Sequence, residues 1–235
     1  DKRRMEKYII KVDVVSDVAC PWCYVGKRRL EEALKQWKGA TVEVNWHPYQ
    51  LDPSMRVQGM DRNTYLTSKF GSIERVEEMT DRLKEVGKTV GIDFDFGDNW
   101  LAVNTLQMHM LLNIARGEGV GIEMKERFLA AYFEESKHLN KPEVLYAIAQ
   151  DFGWNQEKVD TIINDQKIAE AVKSEISHYQ KRGVSGVPFF VINDQYGISG
   201  AQPASVFLEA FESASPIEMN AEGESCDPTT GECCD

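Results

Sequence analysis

The sequence predicts an α/β fold: a small sheet domain of order β-α-β … β-β-α, split by a large all-helical insertion. Three observations predict it. The stretch from "KYIIKVDVVSD" to "TVEVNWHPYQL" passes from strand to helix to strand texture. From about Asp61 to Arg182 the patterns are almost only helical. After Gly183 strand texture returns in "GVPFFVI" and "YGISG", closed by the helical "PASVFLEAFESA".

The elements follow in order. "KYIIKVDVVSD" (Lys7 to Asp17) is rich in β-branched residues and reads as a buried strand. Val25, Leu30, Ala33, Leu34 and Trp37 recur at helical spacing, and Gly39 closes that helix. Val42, Val44 and Trp46 alternate on one face of a second strand, which completes a βαβ unit. In the insertion, Ser72 starts a helix that ends at Gly91, and "IDFDF" (Ile92 to Phe96) is a loop or short extended piece. Asn104 opens "NTLQMHMLLNIARGEG", where Leu106, Met110 and Leu111 form an apolar stripe. "GIEMKERFLAAYFEES" follows as a further helix. Pro142 suits a first helical turn, Asn155 caps "NQEKVDTIIND", and "QKIAEAVKSEISHYQKRG" ends in a basic turn plus Gly183. Asn193-Asp194 turns a hairpin between the last two strands. The expected division is 5–58 with 167–215 as the discontinuous sheet domain, 59–166 as the helical lid, and 216–235 as a flexible Cys-containing tail poor in apolar residues.

The 235 residues include 27 basic and 38 acidic side chains, a net charge of −11. That balance argues against nucleic acid and anionic membrane as partners. No apolar run approaches the roughly 18 residues of a membrane span. The apolar stretch after "DKRRMEK" is broken by Lys11 and Asp13, so it does not read as a secretory signal. Asp1 to Arg4 read as a foreign leader and Met5 as the natural start, which points to the cytoplasm; a periplasmic chain with its signal removed is the alternative.

Five cysteines are too few for a disulfide-stapled scaffold. Cys20 and Cys23 lie near the start, and Cys226, Cys233 and Cys234 lie in the last ten residues, which suggests dedicated sites. At a strand-to-helix junction the first helical N–H groups lack partners and the helix dipole is positive, so a thiolate is stabilised there. Cys20 sits at that junction and is the expected nucleophile. Cys23 falls one turn inside and is the expected resolving thiol. Pro21 between them presets φ for the first turn. A Cys-x-x-Cys pair is also half of a tetrahedral zinc site, but no second such pair exists here. Beside a βαβ pattern the pair reads as thioredoxin-like, with no metal. Pro188, after a Gly-Val pair at a strand start, is a candidate cis bond. In a thioredoxin fold such a proline faces the dithiol and exposes the Val187 backbone to an extended substrate segment.

"DVACPWCYVGKRRLE", "GVSGVPFFVIN" and "YGISGAQP" resemble the DsbA family, and within it the FrnE-like thioredoxin-fold oxidoreductases, from Tyr8 to about Ser213. The resemblance implies a thioredoxin fold with a helical lid and thiol–disulfide exchange with protein or peptide thiols and disulfides. It implies Cys20, Cys23 and Pro188 as working residues, with Pro21, Trp22 and Val187 against the substrate. The redox-active pair is the only cofactor expected, glutathione is a candidate co-substrate, and the chain is a monomer or homodimer. Oxidase, reductase and isomerase directions stay open. A second reading is a glutathione-dependent isomerase or transferase of the same fold, but those relatives typically carry Ser in place of Cys20 and lack Cys23.

Two departures matter. Relatives often carry a buried carboxylate six residues ahead of the first cysteine as a proton relay, and here that position is Val14. Asp17 and His47 are the candidate replacements, each with a plain alternative as a turn residue or a packed imidazole. In the tail, Cys226 and Cys233 are a candidate secondary redox pair across a turn sequence; a soft-metal site of a metal-binding stress protein and a disordered tail are the alternatives. Met55, Met60, Met79, Met108, Met110 and Met124 read as lid core rather than as an adaptable binding surface, and Phe94, Phe96 and Trp100 as packing, with the rim of a substrate groove as the alternative. The second departure sets the poise. Trp22 stands where the most oxidising relatives carry His, and it offers no charge to the thiolate. The dithiol should therefore have a potential between about −250 and −150 mV. Equilibration in thiol–disulfide buffers measures it, and a value near the most oxidising members contradicts the reading.

Overall fold

The computed structural model describes residues 8–218. Met5 and the tail thiols Cys226, Cys233 and Cys234, with the readings built on them, lie outside the described residues. The chain opens with β1 (Tyr8–Ser16), α1 (Pro21–Gln36) and β2 (Thr41–Pro48). The insertion adds β3 (Met60–Asp61), α2 (Arg62–Phe70), α3 (Ile73–Thr89), β4 (Leu101–Ala102), α4 (Leu106–Gly117) and α5 (Gly121–Phe133). It continues with α6 (Pro142–Gln150), α7 (Gln156–Ile163) and α8 (Gln166–Lys181). The chain then returns through β5 (Phe189–Ile192), β6 (Tyr196–Ser199), α9 (Ala204–Ser213) and β7 (Ile217–Glu218).

The main sheet has the order β2-β1-β5-β6, with β7 added to β1. β2 runs parallel to β1 and sets Val14 opposite Trp46. β5 runs antiparallel to β1, and β6 folds back through Asn193 and Asp194, whose φ values of 49° and 55° suit the tight hairpin. This mixed sheet, with its βαβ and ββα halves around helices, is a thioredoxin fold carrying a helical insertion.

β1 buries one apolar face, Ile10, Val12 and Val14, while Lys11 and Asp13 occupy the other ahead of Val15. Ile10, Val12 and Val14 pack with Leu30, Ala33, Phe190, Phe207 and Phe211 under α1 and α9. Val15 on the opposite face packs with Tyr49, Tyr179 and Val184. A larger lid core, built around Met108, Phe128, Leu129 and Tyr132, extends to Val18, Tyr24 and Val25 beside the cysteines. Tyr24 Oη donates to Glu134 at 2.6 Å, and Lys27 Nζ donates to Glu126 at 2.6 Å, so polar contacts also fasten α1 to the lid. Helix α8 packs on both β2 and α4, and so touches both expected domains at their boundary.

Several details differ from the sequence expectations. α2 buries none of its residues fully; Asp61 accepts the Thr64 N–H and caps it. The helix after Asn104 begins at Leu106, because the Asn104 side chain accepts the Leu106 N–H. α1 ends at Gln36, ahead of Gly39. Gly39 instead makes room for the Trp37 ring, which an added Cβ would meet at 2.2 Å. Ile217–Glu218, assigned above to the tail, pairs with Tyr8 and Ile9. Met55, Met108, Met110 and Met124 are core, whereas Met60 and Met79 are exposed.

Phe190 is fully buried and meets Phe207 edge-on at a centroid distance of 4.7 Å. Phe190→Ala should cost about 3–5 kcal/mol. Urea unfolding with an unchanged m-value checks it, and a loss below about 1 kcal/mol would contradict this core.

Candidate active site

Cys20 is the N-cap of α1, with φ −99° and ψ 108°. Its Sγ accepts the Cys23 N–H at 3.3 Å, so the sulfur takes the place usually held by a Ser or Asp oxygen. Pro21 follows at the first helical position, and no acidic side chain lies in the first turn to oppose a thiolate. Cys20 is 4% exposed and Cys23 is 0% exposed, and both are free thiols. Burial pushes the Cys23 thiol well up, and the adjacent Cys20 adds to the shift.

The Val187-Pro188 peptide is cis. The Cys20 thiol donates to the Val187 carbonyl at 3.6 Å, which seats the proline segment against the nucleophile. Gly26 is what lets α1 come this close. A Cβ there would meet Pro188 and Phe190 at 3.1 Å each. A cavity of about 340 Å³ opens beside Cys20, with Pro21, Trp22 and Val187 on the dithiol side. The lid supplies Arg62, Tyr65, Met79, Phe96 and Trp100 to its other walls. The predicted pair, proline and substrate-facing residues thus meet at one place. Phe96 and Trp100 both pack against Phe133 and line the cavity, so both sequence readings of them, packing and groove rim, apply.

Asp17 and His47 take different positions. Asp17 opens the turn before Cys20, its side chain accepting the Ala19 N–H at 3.4 Å, yet it is only 1% exposed. Its carboxylate accepts the Leu51 N–H at 2.8 Å and pairs with His109 Nε2 at 3.0 Å. Burial works against its charge, but those partners outweigh it and hold its pKa low. Its backbone carbonyl accepts the Cys20 N–H at 3.2 Å, which ties it directly to the cap. His47 has both ring nitrogens engaged, Nε2 with Asp13 at 2.8 Å and Nδ1 with Glu175 at 2.6 Å. No ring nitrogen is left to serve a thiol, which is the packed, hydrogen-bonded imidazole that the sequence offered as the alternative to a relay.

Lys125, on α5, was not legible as a site residue, although a signal existed. It occupies the first position of the stripe Lys125, Phe128, Leu129 and Tyr132, where an apolar residue belongs. Lys125 is 2% exposed, and its Nζ sits 5.1 Å from the Trp46 ring centroid. Burial pushes its pKa down to about 8, against the pull of Cys23, Asp17 and Cys20. Among the described residues, no group of His, Cys, Asp and Glu side chains could hold a metal ion.

Residues 11–212 match the DSBA-like thioredoxin domain. The chain is 32% identical to a probable DsbA oxidoreductase from Streptomyces coelicolor, with a TM-score of 0.82 over 96% of this chain and 99% of that one. It is 26% identical to the Bacillus subtilis protein YwbO, covering 86% of this chain and 96% of the relative. The cytosolic disulfide reductase DsbM from Pseudomonas aeruginosa shares the fold at 16% identity and a TM-score of 0.62, over 87% of this chain and all of that one.

The Asp13–His47–Glu175 arrangement makes stability depend on pH. Burial disfavours the His47 cation, but hydrogen bonds to Asp13 and Glu175 outweigh burial and raise its pKa. The same contacts lower Asp13 and bring Glu175 to about 2. A raised histidine contributes stability that is full below its unfolded value near 6.5 and is lost as pH rises through its folded value. The lowered carboxylates contribute above their unfolded values and lose that contribution as pH falls through their folded ones. Wild-type protein should therefore lose urea midpoint between pH 5.5 and pH 8.5, and His47→Gln should lose less. An equal loss in both proteins would contradict the assignment.

Proposed function

Because the chain belongs to the DSBA-like thioredoxin domain family, we propose that it exchanges disulfides with protein or peptide substrates through Cys20 and Cys23. One observation carries the reading: Cys20 caps α1 within 3.6 Å of the Val187 carbonyl, at the end of an apolar cavity, while Cys23 lies sealed behind it. In the reducing direction, the Cys20 thiolate attacks a substrate sulfur. The substrate disulfide breaks, one substrate thiolate leaves, and a mixed disulfide forms. Cys23 then attacks Cys20 Sγ, closes the internal disulfide and releases the second substrate thiolate. Oxidation of a substrate is the same path reversed. An extended substrate segment lies along Val187, and its side chains enter the cavity between Trp22 and the lid.

Trp22 between the cysteines supports a moderate oxidant or a reductase more than a strong oxidase. Glutathione is a candidate small thiol for resetting the pair. Among the described residues no helix is long and apolar enough to cross a membrane; the likeness to the cytosolic disulfide reductase DsbM supports placing the protein in the cytoplasm. The "ACPWC" and "GVPFF" motifs favour the FrnE-like branch. The glutathione-dependent isomerase reading is weaker, because such chemistry leaves a buried second thiol at Cys23 without a task.

Insulin reduction with dithiothreitol tests the reading. Cys20→Ala should fall to the uncatalysed rate. Cys23→Ala should accumulate a Cys20–substrate mixed disulfide that non-reducing mass spectrometry detects. Full activity in Cys20→Ala overturns the proposal.

A further inference from the structure

Cys23 poses a problem that the dithiol reading leaves open. It is fully buried, its pKa is pushed up, and it must shed a proton before it can attack Cys20. The position six residues ahead of Cys20 holds Val14, itself fully buried, so β1 offers no carboxylate there. The paired position on β2 is Trp46, which offers no titratable group either. A substrate seated in the cavity beside Cys20 would also close the solvent route on that side.

A second cavity, of about 180 Å³, lies between β2 and the lid. Its rim is formed by the exposed Arg116, Gly119 and Ile122, and its walls include the buried His109 and Lys125. Lys125 is the link between that cavity and the dithiol. Its Nζ lies over Trp46, the residue paired with Val14, and its charge interacts most strongly with Cys23, then Asp17, then Cys20. Among the described residues, no hydrogen bond or ion pair of its own fixes it. The other charged groups around it are already committed. Lys27 on α1 is held by Glu31 and Glu126, Asp17 by His109, and His47 and Arg116 by Glu175.

Resting on the dithiol reading above, we propose that Lys125 accepts the Cys23 proton and passes it to solvent through this second cavity, so that the lid supplies the relay that β1 lacks. In the resolving step the neutral Lys125 amine takes the proton from Cys23 Sγ and becomes an ammonium. The Cys23 thiolate attacks Cys20 Sγ. The Cys23–Cys20 bond forms and the Cys20–substrate bond breaks. The substrate sulfur leaves as a thiolate and is protonated by solvent. The dithiol is oxidised by two electrons and the substrate disulfide is reduced by two, and the ammonium then releases its proton into the cavity. Opening of the internal disulfide returns a proton to Cys23 by the reverse route. Burial serves this role, because it lowers Lys125 to about 8 and leaves a usable fraction of free amine near neutral pH.

The test separates the two thiols. Reduced full-length protein, with Cys226, Cys233 and Cys234 changed to Ser, is mixed with the aromatic disulfide DTNB in stopped flow between pH 5 and pH 9. The first release of thionitrobenzoate reports attack by Cys20, and the second reports resolution by Cys23. Lys125→Met should slow the second release at pH 7 by on the order of a hundredfold and affect the first release far less. The pH profile of the second release should move to higher pH. Lys125→Arg keeps the charge but cannot shed the proton, and it should be as slow as Lys125→Met; it also decides the matter if the Met variant does not fold. An unchanged second release in Lys125→Met, or a wild-type profile in Lys125→Arg, overturns the proposal. A wild-type protein without the rapid first release would instead overturn the dithiol reading itself.

Discussion

The Cys23 N–H donates to Cys20 Sγ, and that contact exists because α1 begins where β1 and its short turn deliver the chain. A helix leaves its first N–H groups unsatisfied, and a sulfur at the cap position meets one of them. The same contact orders the two thiols. Cys20 faces the cavity and the Val187 carbonyl, and Cys23 turns into the protein. Once the cap is fixed, Gly26 must lie against Pro188, and the strand that carries Pro188 must pair with β1. The sheet order, the glycine and the proline are therefore parts of one constraint.

The lid is more than a cover. Its core reaches α1 through Tyr24 and Val25, and Glu126 and Glu134 hold the polar side of that helix. It also furnishes most of the wall of the cavity beside Cys20. The aromatic side chains that stabilise the insertion thus also shape what can approach the nucleophile. On the other side of the dithiol the lid contributes His109 and Lys125, which place polar groups where the sheet has only Val14 and Trp46.

Much of this was legible in the sequence, because it rests on local rules. Val and Ile alternation gives β1, Ser72 and Asn155 cap their helices through their own side chains, and Pro142 takes a first turn. The dithiol and Pro188 were legible because their chemistry requires those residue types. What escaped depends on distant partners. α2 is short and buries none of its residues fully, and β7 exists only through its pairing with Tyr8 and Ile9. His47 and Asp17 were recognised as ionisable, but Asp13, Glu175 and His109, which decide what they do, come from far along the chain. Lys125 broke an apolar stripe, yet only the fold shows that it lies over Trp46, within electrostatic reach of Cys23.

The central claim is the division of labour between an approachable, helix-capping Cys20 and a sealed Cys23. Iodoacetamide labelling of the reduced protein at pH 7, followed over time by peptide mass mapping, measures it directly. Cys20 should be alkylated at least about tenfold faster than Cys23. Labelling of Cys23 at a rate equal to or above that of Cys20 would contradict the account.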